Sequence, residues 1–148
     1  MEATAQKLSV TRTIRASRQR VFRAWTEPEL MMRWFVEADW EMRLCQIDLR
    51  EGGHYRFEGA IGGRKWAVWG TYLEVRPPAR LVYTWIWEHD DGFGDPTGDT
   101  QVTVEFRESG AETEILLTHD RFDSLRARED HAEGWKTCLD RIERLLSE

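Results

Sequence analysis

His119 is the residue with the most chemistry to offer. It follows Thr113, Ile115 and Leu117 at two-residue steps, so it shares their strand face and points with them toward the interior. An imidazole there resists protonation and needs a partner at each ring nitrogen. The plainest role is a core histidine bonded to a backbone carbonyl. A sharper one is a polar anchor for a bound ligand. The third is a general base with Tyr55 or Tyr83 as the acid, although no nucleophile, base and orienting group stand together in the sequence. His131, Trp135 and Cys138 follow at steps of four and three, on one helix face. No HExxH or CxxC supplies further ligands, so a helix face packed on a sheet explains them, with Cys138 as a small core hydrophobe and no metal expected. Asp90, Asp91, Asp95 and Asp99 lack the alternate spacing and closing glutamate of a calcium loop and read as a solvated hairpin rim. No GxGxxG, GxxxxGK or GxSxG occurs, so neither a nucleotide cofactor nor an elbow nucleophile is implied.

The aromatic residues are the second source of chemistry. The chain holds 8 Trp, 6 Phe and 3 Tyr. Tryptophan is large, seldom fully buried and has one N–H to satisfy. So many of them either fill a core or wall a cavity. Trp34, Tyr55, Phe57, Trp85, Trp87 and Trp135 come from separate elements that one fold would gather. With His119 they form the expected wall of a small-molecule pocket, apolar faces carrying a few polar tips.

The elements that must position these residues follow from periodicity. Leu8 to Arg15 reads as a strand. Ser17 suits the cap of a helix carrying Val21, Phe22 and Trp25, and Pro28 suits the first turn of another, with Leu30, Met31, Trp34 and Phe35. A strand from Met42 to Leu49 turns at Gly52-Gly53 into His54 to Glu58. Gly62-Gly63 turns into a strand from about Lys65 to Val75, and Pro77-Pro78 breaks the chain before Arg80 to Trp87. That last run is apolar on both faces, which predicts cover on both sides. Val102, Val104 and Phe106 alternate with polar residues, and Ser109-Gly110 turns into the strand of His119. Asp123 or Ser124 then caps a helix to Leu146 with the stripe Trp135, Cys138, Leu139, Ile142, Leu145 and Leu146. The order β-α-α-β-β-β-β-β-β-α predicts an α+β fold. A curved antiparallel sheet grips the long C-terminal helix and leaves an internal cavity where their side chains do not meet.

Composition narrows the function classes. At 148 residues one domain, 1–148, with a sizeable core is expected. A net charge of -6, with scattered cations and inward aromatics, argues against nucleic acid. No apolar run is long enough for a membrane span, and Met1 to Ser9 do not read as a signal peptide. A cytoplasmic protein is expected. Cys45 and Cys138 stand far apart and form no redox or zinc motif.

Several local motifs resemble one family. They are Val21-Phe22-Arg23-Ala24-Trp25-Thr26 with Pro28-Glu29 and Trp34-Phe35, then Asp48-Leu49-Arg50-Glu51-Gly52-Gly53, Leu81-Val82-Tyr83-Thr84-Trp85, Leu117-Thr118-His119, and His131-Ala132-Glu133-Gly134-Trp135 with Cys138-Leu139-Asp140-Arg141. In this order, from about residue 8 to residue 146, the chain resembles the activator of HSP-90 ATPase homologue-like family of the START-like (SRPBCC) superfamily, which includes the birch pollen allergen and lipid-transfer domains. The resemblance implies a helix-grip fold and a cavity for a small hydrophobic or aromatic molecule, with no assigned reaction. It also carries two alternatives, a stress-linked chaperone accessory and a cyclase- or hydrolase-like enzyme. The eukaryotic co-chaperones have an additional N-terminal chaperone-binding domain, where only about seven residues precede the first strand here. A homodimer is expected from Val82, Thr84 and Ile86, which emerge as an apolar strip on the outer face if Tyr83, Trp85 and Trp87 point inward.

Overall fold

Residues 6–35, 41–89, 100–122 and 124–147 are described by a computed structural model of the chain. The Asp90–Asp99 rim and the alternative cap Asp123 lie outside the described residues. Strand β1 (Gln6–Ile14) leads into α1 (Arg18–Thr26) and α2 (Pro28–Trp34). Six strands follow: β2 (Glu41–Ile47), β3 (His54–Ile61), β4 (Arg64–Arg76), β5 (Arg80–His89), β6 (Thr100–Ser109) and β7 (Glu112–Phe122). Helix α3 (Leu125–Leu146) closes the chain. All seven strands form one antiparallel sheet in the order β1-β7-β6-β5-β4-β3-β2. The helix-grip expectation holds. β2 to β7 pair in sequence, while β1 crosses to the far edge beside β7, so α1 and α2 span the inner face from one edge to the other.

Local chemistry sets the helix ends. Ser17 Oγ accepts from Arg20 N (3.3 Å), and Ser124 Oγ from Ala127 N (3.0 Å). Pro28 occupies the first turn of α2, where its missing N–H costs nothing. Along α3, Ala127, Trp135, Leu139, Ile142 and Leu146 are buried. Arg12 of β1 fastens the helix by pairing with Asp140 (2.7 Å) and Glu143 (2.9 Å). The final carbonyls of α2 are received by the same helix: Arg141 Nε donates to Trp34 O and Cys138 Sγ to Phe35 O, both at 3.2 Å.

In β5, Tyr83 and Trp85 face the core and Val82, Thr84 and Ile86 the outer side. The outer strip is not a contiguous exposed apolar patch. Val82 is only 6% exposed, and beside it Arg80 bridges Glu74 (3.3 Å) and Glu105 (2.5 Å). Nearby, Trp69 Nε1 donates to Glu88 (2.6 Å). The homodimer thus lacks the patch on which its expectation rested.

One glycine positions a core tyrosine. Gly70 pairs with Tyr55 across β3 and β4, and the Tyr55 hydroxyl donates over it to Thr84 O on β5 (2.6 Å). A Cβ at residue 70 would lie 2.0 Å from that same carbonyl. Gly70→Ala is therefore expected to lower stability by about 2–3 kcal/mol, as an overpacked core position does. Urea unfolding measures it, and a loss under about 0.5 kcal/mol would show that the strands separate freely there.

Candidate functional site

The inner face of the sheet carries the aromatic cluster, and its most polar part is built around His119. Trp135 Nε1 donates to His119 Nδ1 (3.0 Å). An indole N–H only donates, so the imidazole proton sits on Nε2, which gives it to Thr100 Oγ1 (2.8 Å). Thr100 in turn donates to Trp85 O (2.7 Å). A second chain runs in parallel. Trp85 Nε1 donates to His131 Nε2 (3.2 Å), and His131 Nδ1 donates to Ala127 O (2.8 Å). The two imidazoles lie 5.2 Å apart, centre to centre. Each is neutral with one assigned tautomer, and both have pKa values lowered from the ordinary 6.5. For His119 the fall is large and comes first from burial, then from His131; for His131 burial again leads, opposed by the Ala127 hydrogen bond.

His119 is thus held in the core, but by the side chains of Trp135 and Thr100 and not by the backbone carbonyl that the sequence reading expected. Both nitrogens are committed, and the residue is fully buried. Neither proposed acid reaches it: Tyr55 donates to Thr84 O, and Tyr83 accepts from Trp25 Nε1 at 3.1 Å. Burial raises the pKa of both phenols, far up for Tyr55. Burial also pushes the Cys45 thiol up to about 12, leaving it unreactive. Among the described residues no group of three His, Cys, Asp or Glu side chains is placed to hold a metal ion.

A cavity between the sheet and α3 is the sequence expectation; among the described residues Trp135 of α3 packs there against Trp85 and His119. Among the described residues a void of about 10 Å³ lies beneath α1 and α2, room for about one water. Trp25 of α1, Met31 of α2 and Phe35 just beyond it form the roof. Tyr55 and Phe57 of β3, Tyr72 of β4, and Tyr83 and Trp85 of β5 form the floor. Of the sequence-derived wall residues, Tyr55, Phe57 and Trp85 border this void. Trp34 lies beyond the roof, its Nε1 on Ala24 O (2.7 Å) and its ring 4.8 Å from Trp25. Trp87 stacks on Trp66 at 5.8 Å, while His119 and Trp135 stand behind Trp85. Sequence reasoning passed over Trp25, Met31, Phe35, Tyr72 and Tyr83 as wall residues. Each had an inward parity or helical position, but nothing local says which inward residue borders empty space.

Comparisons with known proteins agree with this architecture. Residues 15–147 match the family described as Activator of Hsp90 ATPase homolog 1-like protein. A protein from Rhizobium leguminosarum superposes with a TM-score of 0.84 at 26% identity, covering 97% of this chain and 95% of that one. Protein CV1439 from Chromobacterium violaceum gives 0.82 at 25% identity, with 96% and 97% covered. The AHSA1-like protein from Aeromonas hydrophila gives 0.73 at 26% identity, with 94% and 90% covered. No curated protein matches. Among the described residues no helix is long and apolar enough to cross a membrane. With its seven-stranded sheet, long closing helix and a family match over nearly its whole length, the chain belongs to the Activator of Hsp90 ATPase homolog 1-like family of the START-like superfamily.

Proposed function

We propose that the protein binds a small hydrophobic or aromatic molecule in the interior enclosed by β3, β4, β5 and the α1–α2 pair. The observation that carries this reading is the void itself, surrounded by aromatic rings and Met31 with phenol tips among them. Family and fold point the same way. Tyr55, Phe57 and Trp85 would touch the ligand. His119 and Trp135 would hold Trp85 in place, and Trp34 and Trp87 would support the wall at its two ends.

At about 10 Å³ the void admits a ligand only if a wall side chain yields. Phe35 is the one wall residue outside the fully buried class. Its backbone is held by Cys138, while its ring rests against Phe57 (5.1 Å) and Trp85 (5.9 Å). A ligand ring taking its place would recover those contacts, so exchange costs little packing.

The test uses the protein's own indoles. Titration with naphthalene or indole should quench the fluorescence and raise the melting temperature of the wild-type protein, as binding to the native state does. Phe35→Ala, with a ring-sized space opened, should bind about ten-fold tighter or more. A wild-type protein that shows neither change removes the reading, even if the variant with its enlarged cavity binds.

A further inference from the structure

Two phenol protons beside the void have no acceptor among the described residues. Most donors around them are committed: Trp25 to Tyr83, Tyr55 to Thr84 O, Trp85 to His131 and Trp34 to Ala24 O. The Tyr83 oxygen receives the Trp25 N–H, and among the described residues neither its proton nor the Tyr72 hydroxyl is given to a protein acceptor. Tyr72 is 3% exposed and Tyr83 5%, their rings lie 5.9 Å apart, and both border the void. Both phenol O–H groups belong to the wall of the void, and an acceptor placed in it would satisfy them.

We propose that the interior ligand is a neutral carbonyl compound with an apolar body about one ring in size, its oxygen accepting from Tyr72 and Tyr83. The proposal rests on the interior-binding reading and names its ligand class. An sp² oxygen has two lone pairs and takes both donors at once. The Trp25 N–H bonded to the Tyr83 oxygen polarises that hydroxyl and strengthens it as a donor. Burial raises the pKa of both phenols, so each keeps its proton at neutral pH. No side chain around the void is charged. A carboxylate would therefore sit buried without a counter-charge, whereas a ketone, ester or quinone oxygen would not. The rest of the wall offers rings and a thioether, which suit an apolar body. Its size is set by the ring of Phe35, which must leave to admit it.

Three probes of nearly one shape separate the terms: acetophenone, α-methylstyrene, which replaces the carbonyl oxygen by a methylene, and benzoate. Acetophenone should bind about ten-fold tighter than either of the others. Its ¹³C-labelled carbonyl stretch should fall in frequency relative to cyclohexane solution. Tyr72→Phe should bring acetophenone to within about two-fold of α-methylstyrene while leaving the latter's affinity unchanged. Tyr83→Phe should do the same; if loss of the Trp25 acceptor prevents its folding, Tyr72→Phe decides alone. Equal binding of acetophenone and α-methylstyrene to the wild-type protein overturns the carbonyl inference and leaves interior binding standing. A preference for benzoate overturns the neutral class, and a ketone preference that survives Tyr72→Phe overturns the donor assignment. Silence with all three probes overturns this inference and the binding reading together.

Discussion

Trp135→Ala is expected to lower the unfolding free energy by about 4–5 kcal/mol, at the upper end for a buried aromatic truncation. Trp135 is 3% exposed, stacks with Trp25 at 6.3 Å and tilts against Trp85 at 5.2 Å. Removing its indole empties the junction of α1, α3 and β5. It also leaves His119 Nδ1 without its donor, which adds about 1–3 kcal/mol for an unsatisfied buried group. The two contributions separate in Trp135→Phe, which keeps most of the ring and loses only the N–H. That variant should cost about 1–2 kcal/mol by the same principle. Urea unfolding of both, followed by near-ultraviolet circular dichroism, reads the difference. A Trp135→Phe variant as stable as the wild type would show that His119 does not depend on the Trp135 N–H.

Acid should destabilise the protein through its two buried histidines. In the folded chain both imidazoles are held neutral, with His119 far below the ordinary 6.5. In the unfolded chain both take up protons near 6.5. Below that value the unfolded state binds more protons, so stability is full above about pH 6.5 and falls as the pH drops toward the folded pKa values. For His119 the slope is about 1.4 kcal/mol per pH unit in that window, and His131 adds in the same direction. Protonation would also set donor against donor. A protonated His119 presents N–H to the Trp135 N–H, and a protonated His131 presents N–H to that of Trp85. His119→Gln keeps an acceptor for Trp135 and a donor for Thr100 but does not titrate. Its stability should change less between pH 7.5 and 5.5, by about one histidine's slope. Identical pH profiles for wild type and variant would mean that His119 takes up its proton equally readily in the folded and unfolded chains.

Much of the chain's local architecture is written in its residues. Ser17, Pro28 and Ser124 mark helix starts by side-chain chemistry that acts within three residues. Gly52, Gly62, Gly63 and Gly110 take positive φ at the turns where their lack of a Cβ permits it. Alternation told which face of β6 and β7 points inward, because side-chain direction in a strand depends only on parity, whereas β5, apolar on both faces, gave no such signal. The element order, with family motifs spread along it, was enough for the fold and the family.

What periodicity could not supply was the partner of each inward residue. Parity put His119 inside. Only the packing of α3 on β7 brought Trp135 to one of its nitrogens, and only the pairing of β6 with β7 brought Thr100 to the other. The Trp25–Tyr83 bond joins residues 58 positions apart, and the Trp85–His131 bond residues 46 apart. The placement of β1 beside β7 is equally non-local. The empty space followed the same rule. A cavity is the difference between the volume two layers enclose and the volume their side chains fill, and that difference depends on how rings from distant segments interlock. Here, among the described residues, Trp135 packs on Trp85 and His119 beneath α3, and the α1–α2 roof leaves a small void over Tyr72 and Tyr83. The sequence by itself therefore determined the helix starts, the turns, the inward faces of β6 and β7 and the aromatic character of the interior. Tertiary packing alone decided which hydroxyls were left without partners, and where.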